Sequence, residues 1–204
     1  MDKDQSIKLF SKGPAEWAEW TGKMREERRE IEAQGKWGNG QTHIATQWLD
    51  RARVDFGGHN FSGATNFDGF TFPGDANFKG AVFFGDAIFR RTSFNGTACF
   101  AHVQFKTAAC FEEAEFAGSS DFAKATIQRS AQFNQTRFWS NAHFTEVTYG
   151  LDAKFENSTF DAEADLGRSR FKGDVSFLGA KFAGVTIFFK SKFEGSAEFS
   201  SAQF

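Results

Sequence analysis

From residue 56 to residue 204, phenylalanine falls on a lattice that leaves few folds open to this chain. Starting at Phe56, the steps alternate between five and six residues: Phe56, Phe61, Phe67, Phe72, Phe78, Phe83, and so on to Phe193, Phe199 and Phe204. The lattice has 28 positions without a slip of register; 25 hold Phe and the others are Ile127, Tyr149 and Leu166. A short, fixed period of this kind marks a repeat architecture, in which each unit buries its apolar side against its neighbours. The chain holds 29 phenylalanines against one tyrosine and two methionines, a bias that belongs to one repeated design rather than a mixed core.

A second ladder stands two residues before the first. It includes Ala76, Ala81, Ala87, Thr92, Ala98, Val103 and Ala109, and continues through Ala197 and Ala202. Nearly all its members are small; Phe70, two before Phe72, is the clear exception. Side chains two apart point to the same side of an extended chain, so each unit reads as a short strand with one large and one small inward residue. Glycine favours the position two after the large residue, as at Gly58, Gly63, Gly69, Gly74, Gly80, Gly85 and Gly96. There it predicts a corner at positive φ, which glycine adopts without strain.

Segments such as Phe78-Lys79-Gly80-Ala81-Val82 resemble the pentapeptide-repeat proteins, with an apolar centre and a small residue two before it. The resemblance covers about three-quarters of the chain. It implies an all-β solenoid, a right-handed, four-sided β-helix. Here every second unit has six residues, as in Phe72-Pro73-Gly74-Asp75-Ala76-Asn77, so the true period is 11. The ladders stay in register only if a coil holds a whole number of such units. Eleven residues would give a thin two-sided coil, and 22 residues give four sides.

Charges favour 22. At that spacing seven opposite-sign pairs would meet on adjacent rungs, among them Arg91 with Glu113, Glu115 with Arg137, and Glu146 with Arg168; three like-signed pairs include Asp152 with Asp174. Cys99 and Cys110 are 11 apart. On a 22-residue coil they lie on opposite sides, too far apart for a disulfide, and are expected to be free thiols.

Residues 1–50 lie off the lattice and form a separate N-terminal cap; residues 51–204 form the repeat. Trp17, Trp20, Met24 and Ile31 follow helical spacing, with Pro14 at a start and Gly35 at an end, predicting a helix over residues 14–33. A second short helix is predicted from Thr42 to Arg53. The first coil of a solenoid exposes its core and a strand edge, so Trp17 and Trp20 are expected to cover it. Val82, Phe84 and Ile88 lie outward by the lattice, close together on the second coil. They are expected to dock the N-terminal helix or, failing that, to bind a partner. The sequence stops on lattice residue Phe204, so the last coil is expected to meet further chain, a partner or a second copy, with end-to-end homodimerisation the sharper expectation.

The sequence holds no phosphate-binding glycine loop, nucleophile elbow or zinc-ligand spacing. The expectation is therefore no catalytic residues, no cofactor, no metal and no small-molecule substrate. The four histidines are scattered. The acidic runs Glu112, Glu113, Glu115 with Asp121, and Asp161, Glu163, Asp165, read as solvated faces, with cation binding the lesser alternative for each and the second run the less neutralised by basic neighbours. A net charge of −2, with 26 acidic and 24 basic residues, argues against a nucleic-acid partner. No run approaches the ~18 apolar residues of a membrane span. The first ten residues lack a signal-peptide pattern, which makes the cytoplasm the default compartment. What remains is a rigid rod that acts as a non-catalytic scaffold for an unidentified protein partner. The resemblance also implies an alternative, since some members of that family mimic duplex DNA and act on DNA gyrase. That role needs an acidic face, and charges of both signs interleave along this repeat.

Overall fold

The computed structural model describes residues 1–37 and 43–204. From Val54 onward, two-residue strands follow one another around a four-sided coil. Among the described residues they build four parallel sheets, three of seven strands and one of six. Face 1 runs from Val54–Asp55 to Thr186–Ile187, face 2 from Asn60–Phe61 to Lys192–Phe193, face 3 from Thr65–Asn66 to Ala197–Glu198, and face 4 from Thr71–Phe72 to Lys181–Phe182. Register partners are 22 residues apart on every face, as in Val54 with Ala76, Gln104 with Thr126, Ala109 with Ala131 and Glu115 with Arg137. About seven coils result, and the thin 11-residue coil is excluded.

The lattice residues fill the bore in four columns. On face 3, Phe89, Phe111, Phe133 and Phe155 stack with centroids 4.8–4.9 Å apart and planes within 2° of parallel. Columns from opposite faces meet edge to face: Phe100 on face 1 lies 5.3 Å from Phe111 on face 3, at 88°. Offset stacks along the axis and T-shaped contacts across it are the two arrangements that aromatic quadrupoles favour. The small ladder fits between them, and most of its hydroxyls donate to backbone carbonyls, although the buried Ser120 hydroxyl has no partner. Thr92 Oγ1 donates to the Phe67 carbonyl at 2.8 Å, and Thr136 Oγ1 to that of Phe111 at 2.7 Å.

Alternating five- and six-residue steps produce two kinds of corner. After each lattice residue of faces 1 and 3, a tight turn closes with the N–H of the fourth residue on the lattice carbonyl, as in Ala125 N to Phe122 O at 3.0 Å. Its third residue is left-handed, as a type II turn demands. That position is Gly80 at φ 67°, but also Lys124 at 58°, Gln135 at 56° and Glu146 at 61°. After faces 2 and 4 the glycines have another reason. A Cβ on Gly118 would lie 2.4 Å from the Gly96 carbonyl oxygen on the coil before. The expectation of positive φ therefore holds at Gly58, Gly69 and Gly80 and is corrected at Gly63, Gly74, Gly85 and Gly96, which are absent from the left-handed set. At Gly85 and Gly96 a Cβ would strike the preceding coil, so the close approach of two backbones is what selects glycine there.

Among the described residues the N-terminal segment has three helices, α1 (Lys3–Ser11), α2 (Pro14–Ala33) and α3 (His43–Ala52), of which α1 and α2 close the mouth of the tube. Helices α2 and α3 match the sequence expectation, except that Thr42 lies outside the described residues. Helix α1 was not foreseen. A capping box between Asp2 and Gln5 starts it, and its Phe10 stacks on Phe67 at 4.6 Å, edge-on to Phe56 and Phe61. Trp17 is 1% exposed, lies over Phe72 and donates its indole N–H to the Thr71 carbonyl at 2.9 Å. Phe70, the exception in the small ladder, packs against both Phe10 and Trp17, so the large ring there belongs to the seam with the cap. Trp48 Nε1 donates to the Met24 carbonyl and ties α3 to α2.

Seven ion pairs across adjacent rungs were expected at a spacing of 22, but of these only Glu146 with Arg168 forms as an ion pair. Four diagonal pairs form instead, Asp68 with Arg91, Arg90 with Glu113, Arg137 with Asp161, and Arg170 with Glu194, while Lys124 and Lys172 form no ion pair among the described residues. A long arginine reaches a diagonal neighbour as readily as the one directly opposite. The like-signed Asp152 and Asp174 are tolerated because each carboxylate accepts a backbone N–H from the next coil, Asp174 N at 3.1 Å and Ser196 N at 2.8 Å.

Two predictions follow from the corners and the bore. Gly118→Ala should lower stability by roughly 1–3 kcal/mol, whereas Gln135→Gly should raise it by about 0.5–1 kcal/mol by relieving a left-handed side chain. Urea titration reads both, and equal effects of one sign would refute the two-corner account. Tyr149 is fully buried, its hydroxyl has no hydrogen-bond partner, and burial drives its pKa well up. Tyr149→Phe should stabilise the coil by about 1 kcal/mol; a lower urea midpoint would mean the hydroxyl has found a partner.

Candidate functional site: the outward surface of the coil

With the bore filled by rings, whatever this protein recognises must meet residues that flank the inward ones. Val82 lies on face 2 between Asn60 and Gln104, Ile88 on face 3 between Asn66 and Cys110, and Phe84 near the corner between them. Val82 and Ile88 are half-buried, and Phe84 is 52% exposed. The N-terminal helices do not dock here, contrary to expectation. Helix α1 packs on Val54–Asp55, and α2 on Thr71–Phe72. Phe10 and Trp17 pack instead against the rings at the open end of the core, where burial of apolar surface holds the helices.

Trp17 serves as the plug and is closed to any partner. Trp20 is half-buried, edge-on to Trp17 at 5.3 Å. The plugging ring that sequence reasoning missed is Phe10; the capping box at Asp2 and Gln5 was the signal that could have located its helix. Further apolar side chains reach solvent elsewhere. Trp139 stands beside face 4 with the Arg137 guanidinium 3.3 Å from its ring centre, and Leu178 and Phe189 lie beyond faces 3 and 1.

Among the described residues, groups able to carry chemistry are few. Cys99 and Cys110 are free and sit on opposed faces 1 and 3. Burial pushes both thiols up, away from the thiolate that a nucleophile needs. His59 is half-buried under the cap, edge-on to Phe61, and desolvation followed by the nearby Lys3 charge holds its pKa down. In the first acidic run, Glu113 is engaged by Arg90, and Asp121 Oδ1 accepts the Ala123 N–H. In the second, Arg137 engages Asp161, but Glu163 and Asp165 form no ion pair among the described residues. With His143 they make one cluster whose ligand atoms all lie within 4.8 Å of one another.

No described helix is long and apolar enough to cross a membrane. No curated protein and no solved structure matches the chain. Residues 111–153 match a family model described as pentapeptide repeats. The matched segment lies in the middle of one unbroken lattice, and the coils on either side repeat its strands, register and ring columns. Residues 111–153 are thus similar to pentapeptide repeats, and the coils on either side continue the same phenylalanine-centred pattern, with units that alternate between five and six residues.

Proposed function

We propose that this protein is a non-catalytic interaction scaffold, a rod whose outward corners present a partner-binding surface. The observation that carries this reading is Phe84. It is a large aromatic ring, more than half exposed, on a coil whose other rings are spent on the bore, and the cap does not use it. Exposed aromatics held on a rigid frame lose little entropy on binding, which makes them suitable anchors for a protein partner. Duplex-DNA mimicry is the weaker alternative. Face 1 offers Asp55, Asp121 and Asp165 in one column, but Asn77, Cys99 and His143 interrupt it. Free cysteines suit a reducing compartment, which supports a cytoplasmic setting.

Phe84→Ser should leave the far-UV circular dichroism and urea midpoint nearly unchanged while removing proteins that the wild type retains from native lysate. Equal retention by both would overturn the role of this corner.

A further inference from the structure

We propose that His143, Glu163 and Asp165 form a binding site for a divalent transition-metal ion of the zinc type. His143 and Asp165 are directly opposed across face 1, and Glu163 precedes Asp165 by two residues. Glu163 and Asp165 flank the inward Ala164, so both project outward from the same strand end. The ladder fixes their separation from His143 through the bonds from Ala142 N to Glu163 O at 2.8 Å and from Phe144 N to Asp165 O at 2.6 Å. All three side chains are half-buried, so the cluster is drawn partly out of water.

Chemistry and electrostatics agree on a cation. One imidazole nitrogen with two carboxylate oxygens is a donor set suited to zinc, cobalt, nickel or copper; an all-oxygen set would favour magnesium or calcium. The two carboxylates lie within reach of each other. Neither Glu163 nor Asp165 forms an ion pair among the described residues, so a cation there would meet two carboxylates without a basic partner. Asp165 is also held from behind: its Oδ1 accepts the Gly167 N–H at 2.8 Å, and its Oδ2 accepts the Thr145 hydroxyl at 3.3 Å. Such outer contacts orient a carboxylate ligand. Three protein ligands leave at least one position of a four-coordinate ion open, to water or to a side chain from a bound partner.

The sequence carries no motif for this site, because its ligands come together only through the 22-residue coil. The test uses the full chain, freed of metal with a chelator and titrated with zinc chloride in a calorimeter. One equivalent should bind. His143→Ala, and separately Glu163→Gln, should each weaken binding at least tenfold, while His102→Ala should leave it unchanged. With cobalt as the probe, the His143 imidazole proton signals should shift or broaden before those of His43, His59 and His102. The triad variants alter outward positions that hold other residues on neighbouring coils, and circular dichroism would verify their fold. Zinc binding of equal strength in His143→Ala, or cobalt effects spread evenly over the four histidines, would overturn the proposal.

Discussion

Everything in the repeat follows from the closure of one coil after 22 residues. Parallel strands in a hydrogen-bonded ladder sit ~4.8 Å apart. A ring repeated at the same place in each coil must therefore stack on its counterpart at about that distance. The measured separations on face 3 obey this, and the near-parallel planes show that neither backbone nor ring yields to the other. Phenylalanine suits this bore because it is flat, large and free of polar atoms. Tyr149 shows the consequence of departing from that rule: its ring still stacks on Phe171 at 4.6 Å, but its hydroxyl finds no partner.

The same closure dictates how the backbone is shared between faces. On faces 1 and 3 the N–H groups donate forward to the next coil, as from Ala98 to Ser119; on faces 2 and 4 they donate backward, as from Gln104 to Ala81. Peptide dipoles on adjacent faces therefore oppose one another, and the tube does not build up the axial field that a helix does. The reversal requires two kinds of corner. One turns through a left-handed residue, and the other brings adjacent coils so close that a Cβ would strike the backbone. The five-six alternation in the sequence is the imprint of these two corners.

The fold was therefore legible wherever a residue points inward. Lattice, small ladder, coil length, opposed cysteines and the caps at Trp17 and in α2 could all be read from spacing, because burial constrains residue type at each of those places. The surface was much less legible. Arginine side chains slant to diagonal partners, so the ion pairs fell one or two residues from where a straight ladder would put them. Glycines at both corners look alike in sequence, and only the approach of the preceding coil separates them. Helix α1 escaped notice because two and a half turns of helix with a single plugging ring have too weak a period to stand out.

That asymmetry indicates where recognition has to be encoded. Inward positions are held to Phe, Ala and their near equivalents by packing, so they are the same on nearly every coil and distinguish nothing. Outward positions bear little packing constraint, and neighbouring coils fill one column with side chains as different as Asn77, Cys99, Asp121 and His143. A rod of this kind turns a linear string of outward residues into a two-dimensional surface, with columns 22 apart in sequence and rungs one ladder spacing apart in space. Residues distant in sequence, such as His143 and Glu163, become neighbours on a frame too stiff to rearrange. Any specificity the protein has must therefore come from a few rungs whose outward residues differ from the rest, and Phe84 and the His143 cluster are such rungs.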